Sequence, residues 1–301
     1  MKENETLGSM HPGAKLILLV GLCLLGLLVA TIAVGLITIF PLTAEGGDSN
    51  ILARNAGQMR VLQLITQIML FVVPAFVFAF LVSGRPMAYF QFQRLPSLKN
   101  LGFSLFALVV AYPLVLYSAE LNQKISLPES LQGLESWMRN YEDSAKEVVD
   151  LILGTGSLGV LALNVFVVAL VPGVGEELVF RGVVQRIFGQ WTGKVHWAVW
   201  ISAIIFSTIH FQFLGFLPRL ILGLVLGYLF AFGRNIWLPI AAHFINNLLV
   251  VVAFYLAHNK FVEVDVEAVE LGSIGPAVAV LSLVFTVLVF YNFRKMNQNS
   301  C

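Results

Sequence analysis

The sequence predicts an all-α protein: a polytopic transmembrane helical bundle of about eight spans, with an extra amphipathic helix in the long outer loop. Hydrophobic residues make up 58% of the 301 residues and charged residues only 12%, whereas a soluble domain carries about 25% charged residues. The apolar residues are gathered in runs of roughly the length that crosses a bilayer. The net charge of +1 comes without a basic cluster. We therefore expect the lipid bilayer as a partner and no nucleic acid.

Eight apolar runs are expected to cross the membrane in turn. The first, Leu16–Phe40, is too long for the apolar core of a signal peptide and is kept as a span of the mature protein. The fourth, Leu158–Val171, is expected to continue as a helix through the two carboxylates that follow it. An even number of spans puts both chain ends on one side of the membrane. The remaining runs are Val61–Val82, Leu101–Leu121, Trp197–Phe211, Phe216–Phe232, Ile236–Ala257 and Ile274–Phe293.

Loop charges orient the spans, because Lys and Arg in short loops mark the cytoplasmic side. The loop between the second and third spans holds Arg85, Arg94 and Lys99 and no acid. If the spans alternate, the bases that follow the fourth, sixth and eighth spans lie on the same side. The opposite side holds Glu120–Asp150, with seven acids against three bases. We predict an integral, multi-pass protein of the plasma or inner membrane, with both termini in the cytoplasm.

The long outer loop contains the amphipathic helix. Its apolar residues recur at helical spacing with acids between them. Such a helix either lies on the outer membrane surface or packs on the outer ends of the other spans, and the pattern leaves both readings open. The apolar positions are Leu131, Leu134, Trp137, Met138, Tyr141, Ala145, Val148 and Val149.

Two adjacent carboxylates, Glu176 and Glu177, stand where the fourth span should still be in the membrane. An ionisable group at that depth costs at least ~2.5–3.5 kcal/mol on insertion scales, so it is a functional hypothesis by default. Glu177 and Arg181 are four residues apart and share a helix face, whereas Glu176 is rotated by roughly 100°. We expect Glu177 and Arg181 to form a structural pair and Glu176 to be available as a base. The alternative is a helix break near Pro172 that leaves both acids in solvent.

Two later spans contain further polar clusters. His210 lies inside the fifth predicted span, between Ile209 and Phe211, and His243 shares a helix face with Asn247 inside the seventh. A lone histidine on an apolar helix can equally be a packing residue. However, polar groups in lipid are driven to face one another, because lipid offers them no partner. We therefore expect both histidines and Asn247 to share one cavity with the two glutamates.

These groups suit two kinds of hydrolytic site. A glutamate can act as the base that activates water, a histidine can orient or donate a proton, and an asparagine can stabilise an oxyanion. Glu176, His210 and His243 are also a possible Zn²⁺ site, since Zn²⁺ accepts imidazole nitrogen and carboxylate oxygen. The H-E-x-x-H motif of many zinc proteases is absent from the sequence. The residues leave open whether Zn²⁺ is used or the reaction is independent of metal.

At these residues the sequence resembles the CAAX protease and bacteriocin-processing (CPBP, or Abi) family of intramembrane endopeptidases. That family's motifs E-E-x-x-x-R, F-x-x-x-H and H-x-x-x-N occur here in the same order, within about Leu158–Val252. The resemblance implies a fold of about eight helices, with the site inside the membrane and open to the cytoplasmic side. The motif residues are Glu176, Glu177, Arg181, Phe206, His210, His243 and Asn247.

The resemblance also implies a role for each motif residue. Glu176, together with His210, would activate water. His243 and Asn247 would stabilise the oxyanion. Both a metalloprotease and a glutamate-dependent mechanism without metal are consistent with the family. The remaining motif residues would support or shape the site: Glu177, Arg181 and Phe206.

The expected function is therefore that of an intramembrane endopeptidase of the CAAX prenyl protease-like type, which cleaves near the C-terminus of a membrane-associated protein or peptide. A non-catalytic immunity or scaffold protein of the same fold is the alternative. A transporter is less favoured, because the polar groups all lie in the C-terminal half and not in two corresponding halves. We divide the chain into N-terminal helices with the amphipathic segment (1–157), a catalytic helical core (158–257), and a final helix with the cytoplasmic tail (258–301).

Overall fold

A computed structural model of the chain describes residues 7–39, 51–154, 156–262 and 271–298. The regular structure of these residues is helical, without a strand, which confirms the predicted all-α bundle. We number the main helices along the chain. They are α1 (Pro12–Ile39), α2 (51–83), α3 (Leu98–Gln123), α4 (Gln132–Leu153), α5 (Leu158–Thr192), α6 (Val195–Thr208), α7 (Phe216–Gly233), α8 (Trp237–His258) and α9 (Gly275–Gln298).

Seven of the described helices, all of the numbered ones except α4 and α6, are long and apolar enough to cross a membrane. α6 has 14 residues. Its length is therefore about 21 Å, against a hydrocarbon core of about 30 Å. The prediction that Trp197–Phe211 is a full membrane span is therefore wrong, because the helix ends at Thr208. Phe211 has a φ of 53°, a left-handed conformation that does not continue a right-handed helix.

Stretches of π-helix interrupt two of the long helices. One lies in α2, at Ile68–Val72, and two lie in α5, at Val165–Leu170 and Phe180–Val184. A π-helical turn holds more residues than an α-helical turn, so it rotates the side chains that follow it. The two stretches in α5 enclose the α-helical piece Val171–Val179, which carries both glutamates. The direction of these carboxylates thus depends on the irregular turns on either side.

One end of the bundle, called the basic end here, gathers the loops after α2, α5 and α7 and the C-terminal end of α9. Asn100 donates to the side-chain oxygen of Asn297 at 3.0 Å, and Asn235 donates to the Arg94 carbonyl at 2.6 Å. These contacts bring together loops that are far apart in the sequence. The basic residues of this end include Lys15, Arg85, Arg94, Lys99, Arg186, Lys194, Arg234, Arg294 and Lys295.

The opposite end, called the acidic end, holds α4, the end of α3 and the turn Phe213–Gly215. The side chain of Asn122 joins α3 to this turn. It donates to the Phe213 carbonyl and accepts from the Leu217 N–H, each at 2.8 Å. The Trp137 ring of α4 lies 5.6 Å from that of Phe213. The turn between α6 and α7 therefore lies at the acidic end, beneath α4.

α4 is the amphipathic helix predicted from the sequence. Its apolar side chains Leu134 and Trp137 remain 47% and 50% exposed, so the described helices do not bury its apolar stripe. Arg60 holds its C-terminal end by donating to the Ile152 carbonyl at 2.5 Å and to Asn164 at 2.7 Å. These features favour a helix on the membrane surface, anchored to the bundle at one end, over a helix packed on the outer ends of the spans.

Candidate active site

Glu177 and Arg181 form a fully buried ion pair within α5. Nη1 of Arg181 donates to Oε1 of Glu177 at 2.7 Å, and both side chains have 0% exposure. Nη2 of Arg181 donates to the Gly223 carbonyl of α7 at 2.9 Å, and the guanidinium carbon lies 4.9 Å from the centre of the Phe206 ring. The pair predicted from the four-residue spacing is thus present, and it joins α5 to α6 and α7.

His243 of α8 contacts the same carboxylate. Its Nδ1 lies 2.8 Å from Oε1 of Glu177, and the imidazole is buried. An ionised carboxylate only accepts hydrogen bonds, so Nδ1 is the donor. Such a partner fixes the orientation of the ring. Its other nitrogen, Nε2, faces Glu176, at 3.9 Å from Oε2.

Glu176 is 5% exposed and is held on its other side by α2. Nε2 of Gln67 donates to Oε1 of Glu176 at 3.2 Å. The 3.9 Å between Oε2 of Glu176 and Nε2 of His243 is too long for a direct hydrogen bond. A water molecule can bridge two polar groups at such a separation. Gln67 was missed in the sequence, although it interrupts the second apolar run, and a polar residue at membrane depth is itself a signal.

His210 follows α6 and lies in the turn, not inside a helix as predicted. Its Nδ1 lies 2.7 Å from the Phe206 carbonyl. The Phe206 ring stands between both histidines, with ring centres 5.1 Å from His210 and 5.9 Å from His243. A carbonyl oxygen accepts only, so Nδ1 of His210 donates to it and Nε2 keeps its lone pair. Phe206 therefore separates and orients the two imidazoles.

Asn247 lies one helical turn beyond His243, on the same face of α8, as the spacing predicts. Its Nδ2 is 3.5 Å from the Val168 carbonyl of α5, at the outer limit of a hydrogen bond. Its Oδ1 accepts from Nδ2 of Asn246 at 3.2 Å. The weakly held amide group is thus close to the segment of α5 that precedes the glutamates.

The tentative zinc ligands are not gathered into one ready-made site. Across the described part of the chain, no group of three or more His, Cys, Asp or Glu side chains is arranged to hold a metal ion. Glu176 and His243 supply two facing donors. A catalytic Zn²⁺ site keeps three protein ligands. The zinc set of Glu176, His210 and His243 therefore stays a prediction.

Packed apolar side chains lie beside the site toward the basic end. Past Arg181, α5 continues through Gly182 and Val183, which are buried. The fully buried Phe90, from the loop after α2, packs so closely on Gly182 that an added Cβ would lie 2.6 Å from its ring. Phe90, Val183 and Phe180 belong to one buried apolar cluster. This cluster therefore packs on α5 on the basic-end side of the two glutamates.

Polar groups lie on the other side of the site, toward the acidic end. α8 runs from the basic end to the acidic end, so Asn247 is nearer the acidic end than His243 is. Arg219, in the first turn of α7, donates to the backbone carbonyl of Gln212 at 3.1 Å and to its side-chain oxygen. Arg219 also interacts electrostatically with Glu142 of α4 and with Glu176. Asn247 and Arg219 therefore lie on the acidic-end side of Glu176.

Residues 158–249 match the family model described as Type II CAAX prenyl endopeptidase Rce1-like. This segment contains both glutamates, Arg181, both histidines and Asn247. The family resemblance inferred from the three motifs is therefore confirmed for the segment, which amounts to less than half of the 301-residue chain.

Two curated relatives from Bacillus subtilis (strain 168) align with part of the chain. "Uncharacterized protein YpbD" is 29% identical over 86 residues, which are 27% of this chain and 41% of the relative. "Putative membrane peptidase YdiL" is 33% identical over 92 residues, which are 30% of this chain and 36% of the relative. The chain thus spans less than half the length of each relative. No solved structure matches the chain significantly.

Proposed function

We propose that this protein is an intramembrane endopeptidase that hydrolyses a peptide bond of a membrane-associated protein or peptide with water activated by Glu176. The observation that carries this proposal is the 3.9 Å separation between Oε2 of Glu176 and Nε2 of His243. The two groups face each other in a buried site, with Gln67 on one side and the Arg181–Glu177–His243 chain on the other. The match of residues 158–249 to a peptidase family supports it.

In the proposed reaction, Glu176 takes a proton from water while the water oxygen attacks the carbonyl carbon of the substrate. His210 helps to orient that water through Nε2, since its Nδ1 is engaged by the Phe206 carbonyl. The proton is then passed from Glu176 to the nitrogen of the leaving amine as the C–N bond breaks. This is general acid–base catalysis by one carboxyl group, which takes up a proton and returns it.

His243 and Asn247 are the proposed donors to the oxyanion. Nδ1 of His243 is occupied by Glu177, so Nε2, when protonated, is the atom that can donate into the site. The Nδ2 group of Asn247 makes a 3.5 Å contact to the Val168 carbonyl, at the outer limit of a hydrogen bond, and can turn toward a substrate at little cost. Donors fixed near a developing negative charge stabilise it most where water is excluded. Glu177 and Arg181 support the site without touching the substrate.

We further propose that the site opens to the non-cytoplasmic side. The basic end carries the Lys and Arg side chains that mark a cytoplasmic face, which also places the described end of α9 there. The buried apolar cluster that contains Phe90 packs on α5 toward that end, whereas Asn247 and Arg219 lie toward the acidic end. This proposal departs from the cytoplasmic opening that the family resemblance implies. The substrate would present its cleavage site, near its C-terminus, from the outer half of the membrane.

The proposed function is tested by comparing the termini of membrane proteins in cells that carry the wild type, Glu176→Gln or Glu147→Gln. Glu147 is an exposed acid of α4 and serves as the matched control. New termini should appear with the wild type and with Glu147→Gln and should be lost with Glu176→Gln. Identical termini in all three cultures, with equal amounts of folded protein, would overturn the peptidase and favour the scaffold.

Purified protein then gives a direct test. A peptide that spans one of the new termini is incubated with wild type, Glu176→Gln and His243→Gln in liposomes. Loss of one general base or oxyanion donor typically costs 10²- to 10⁴-fold in rate, so we expect at least a roughly 100-fold decrease for either variant. Cleavage at the wild-type rate by both variants would show that Glu176 is not the base and His243 is not the oxyanion donor. Activity that vanishes with a tight chelator and returns with Zn²⁺ would favour the metal-dependent mechanism.

A further inference from the structure

A cavity of about 520 Å³ lies at the basic end, between the start of α6, the end of α7 and the end of α9. Its lining includes three cationic side chains, Lys194, Arg234 and Arg294, and its described lining residues include no carboxylate. All three cations are exposed. The cavity, called the head cavity here, therefore combines the size of a small-molecule pocket with a positive charge.

A second cavity of about 560 Å³, called the tail groove here, runs along the membrane-facing surface between α7 and α9. It is almost entirely apolar. Leu283 and Val287, on one wall, are 48% and 58% exposed, so the described helices leave the groove open toward lipid. Other residues that line it are Leu224, Val225, Tyr228 and Phe290.

The two cavities are adjacent. His196, Phe232 and Arg294 line both of them. At the junction, the guanidinium carbon of Arg294 lies 5.6 Å from the centre of the Phe232 ring, and Nδ1 of His196 lies 2.9 Å from the Tyr228 hydroxyl. The cationic head cavity thus adjoins the apolar tail groove at the bundle surface.

The combined cavity is separate from the candidate active site. Gly223 and Gly227 of α7 face α5, where their carbonyls accept from Arg181 and Gln185. The next residue along in each case, Leu224 and Tyr228, lines the tail groove on another face of the same helix. The groove also begins at the basic end, whereas Asn247 and Arg219 lie on the acidic-end side of Glu176.

We infer that the head cavity and the tail groove form one binding site for an anionic phospholipid of the bilayer. The phosphate is held by Lys194, Arg234 and Arg294, and an acyl chain lies along α7 and α9. Two observations point to this occupant. The charge of the head cavity is complementary to a phosphate, as in basic pockets between membrane helices that bind lipid headgroups. The exposed Trp197 and Trp200 beside the site belong to the residue type that marks the headgroup level of a membrane.

Native mass spectrometry of the delipidated full chain in detergent tests the site, with phosphatidylglycerol and phosphatidylcholine of the same acyl chains as probes. We expect one phosphatidylglycerol per chain at concentrations where phosphatidylcholine is not retained. The double variant Lys194→Gln/Arg294→Gln should bind phosphatidylglycerol roughly 30-fold more weakly, or about 2 kcal/mol at about 1 kcal/mol per cation. Equal retention of both lipids would overturn the proposal.

Two controls make the result specific. Arg85→Gln/Lys99→Gln removes two exposed cations of the same end outside both cavities and should leave phosphatidylglycerol binding unchanged. An equal loss in this pair would mean that only the net charge of the basic end matters, which contradicts a defined site. Glycerol phosphate, the headgroup without chains, should fail to displace the lipid at equal concentration. Displacement would show that the tail groove contributes nothing.

Discussion

Nδ1 of His243 and Nη1 of Arg181 contact the same oxygen, Oε1 of Glu177, at 2.8 and 2.7 Å. One buried carboxylate oxygen therefore links α8, which carries the histidine, to the cation of α5. Through Arg181 the link continues to the Gly223 carbonyl of α7. Glu177 thus ties together three helices of the segment 158–249, and the direction of His243 toward Glu176 depends on it.

Removing one member of the buried ion pair should destabilise the protein strongly. Glu177→Gln leaves the guanidinium of Arg181 buried without its counter-charge, and Arg181→Met leaves the carboxylate likewise. Breaking a buried pair in this way costs about 3–5 kcal/mol, so each variant should lose that much unfolding free energy in detergent. The double variant should recover part of the loss, because it leaves no isolated buried charge. A double variant as unstable as the sum of the two singles would contradict this account.

Gln67→Leu should lower peptidase activity while the fold is kept. The change removes the hydrogen bond that holds Oε1 of Glu176, and loss of a partner that orients a functional group typically costs 10- to 100-fold. The effect should fall on kcat rather than KM, because Gln67 positions the base. Gln63→Leu, one helical turn earlier in α2, is the control and should keep wild-type activity. Equal kinetics of Gln67→Leu and wild type would show that Glu176 does not need this contact.

Gly26→Ala should loosen the packing of α1 on α2. A Cβ at Gly26 would overlap the backbone oxygen of Met69, in the π-helical stretch of α2. The two helices must separate to admit the methyl group, and overpacking of this kind costs about 1–3 kcal/mol. Gly21→Ala on the same helix is the matched control, since nothing lies within 4 Å of its added Cβ. Equal thermal stability of the two variants would show that the helices separate freely.

Cysteine labelling tests the proposed orientation. In a background without Cys23 and Cys301, Asn140→Cys on α4 and Lys194→Cys at the basic end are exposed to a membrane-impermeant maleimide added to intact cells. Asn140→Cys should react at once and Lys194→Cys only after the cells are opened. The reverse labelling pattern would mean that the basic end lies outside the cell, which contradicts the proposed orientation.

The same reagent locates the opening of the site. His210→Cys should react from the side on which Asn140→Cys reacts, because His210 lies in the turn next to the acidic end. Reaction only from the side of Lys194→Cys, or no reaction from either side, would mean that the site does not open to the acidic end.

Contacts within one helix were predictable from spacing alone. Glu177 and Arg181 are four residues apart, and so are His243 and Asn247, so the helical period brings each pair to one face whatever the bundle around it. The amphipathic pattern of α4 was predictable for the same reason. The family motifs then connected these local pairs into one predicted site, of which the structure places Arg181 and His243 on Glu177.

Contacts between helices were not predictable in this way. The sequence around Gln67 gives no sign that it reaches Glu176, because that contact depends on how α2 packs against α5. The end of α6 is also set by tertiary contacts: Oγ of Ser207 donates to the Phe216 carbonyl at 2.7 Å, and this contact draws the chain into the turn that holds His210. The π-helical stretches beside the glutamates were likewise not predictable, because the apolar residues of α5 predict one uniform helix.

The shortness of α6 has a consequence for the bilayer around it. A helix of 14 residues falls about 9 Å short of a hydrocarbon core of about 30 Å. A short span is accommodated by local thinning of the bilayer, by flanking side chains that reach the interface or by oligomerisation, and thinning costs fractions of a kcal/mol per Å. We expect thinning beside His210. A substrate helix that diffuses into this thinned region would contact water while most of its length remains in the membrane. Hydrolysis would then take place closer to the aqueous interface. We therefore expect thin bilayers to favour the reaction.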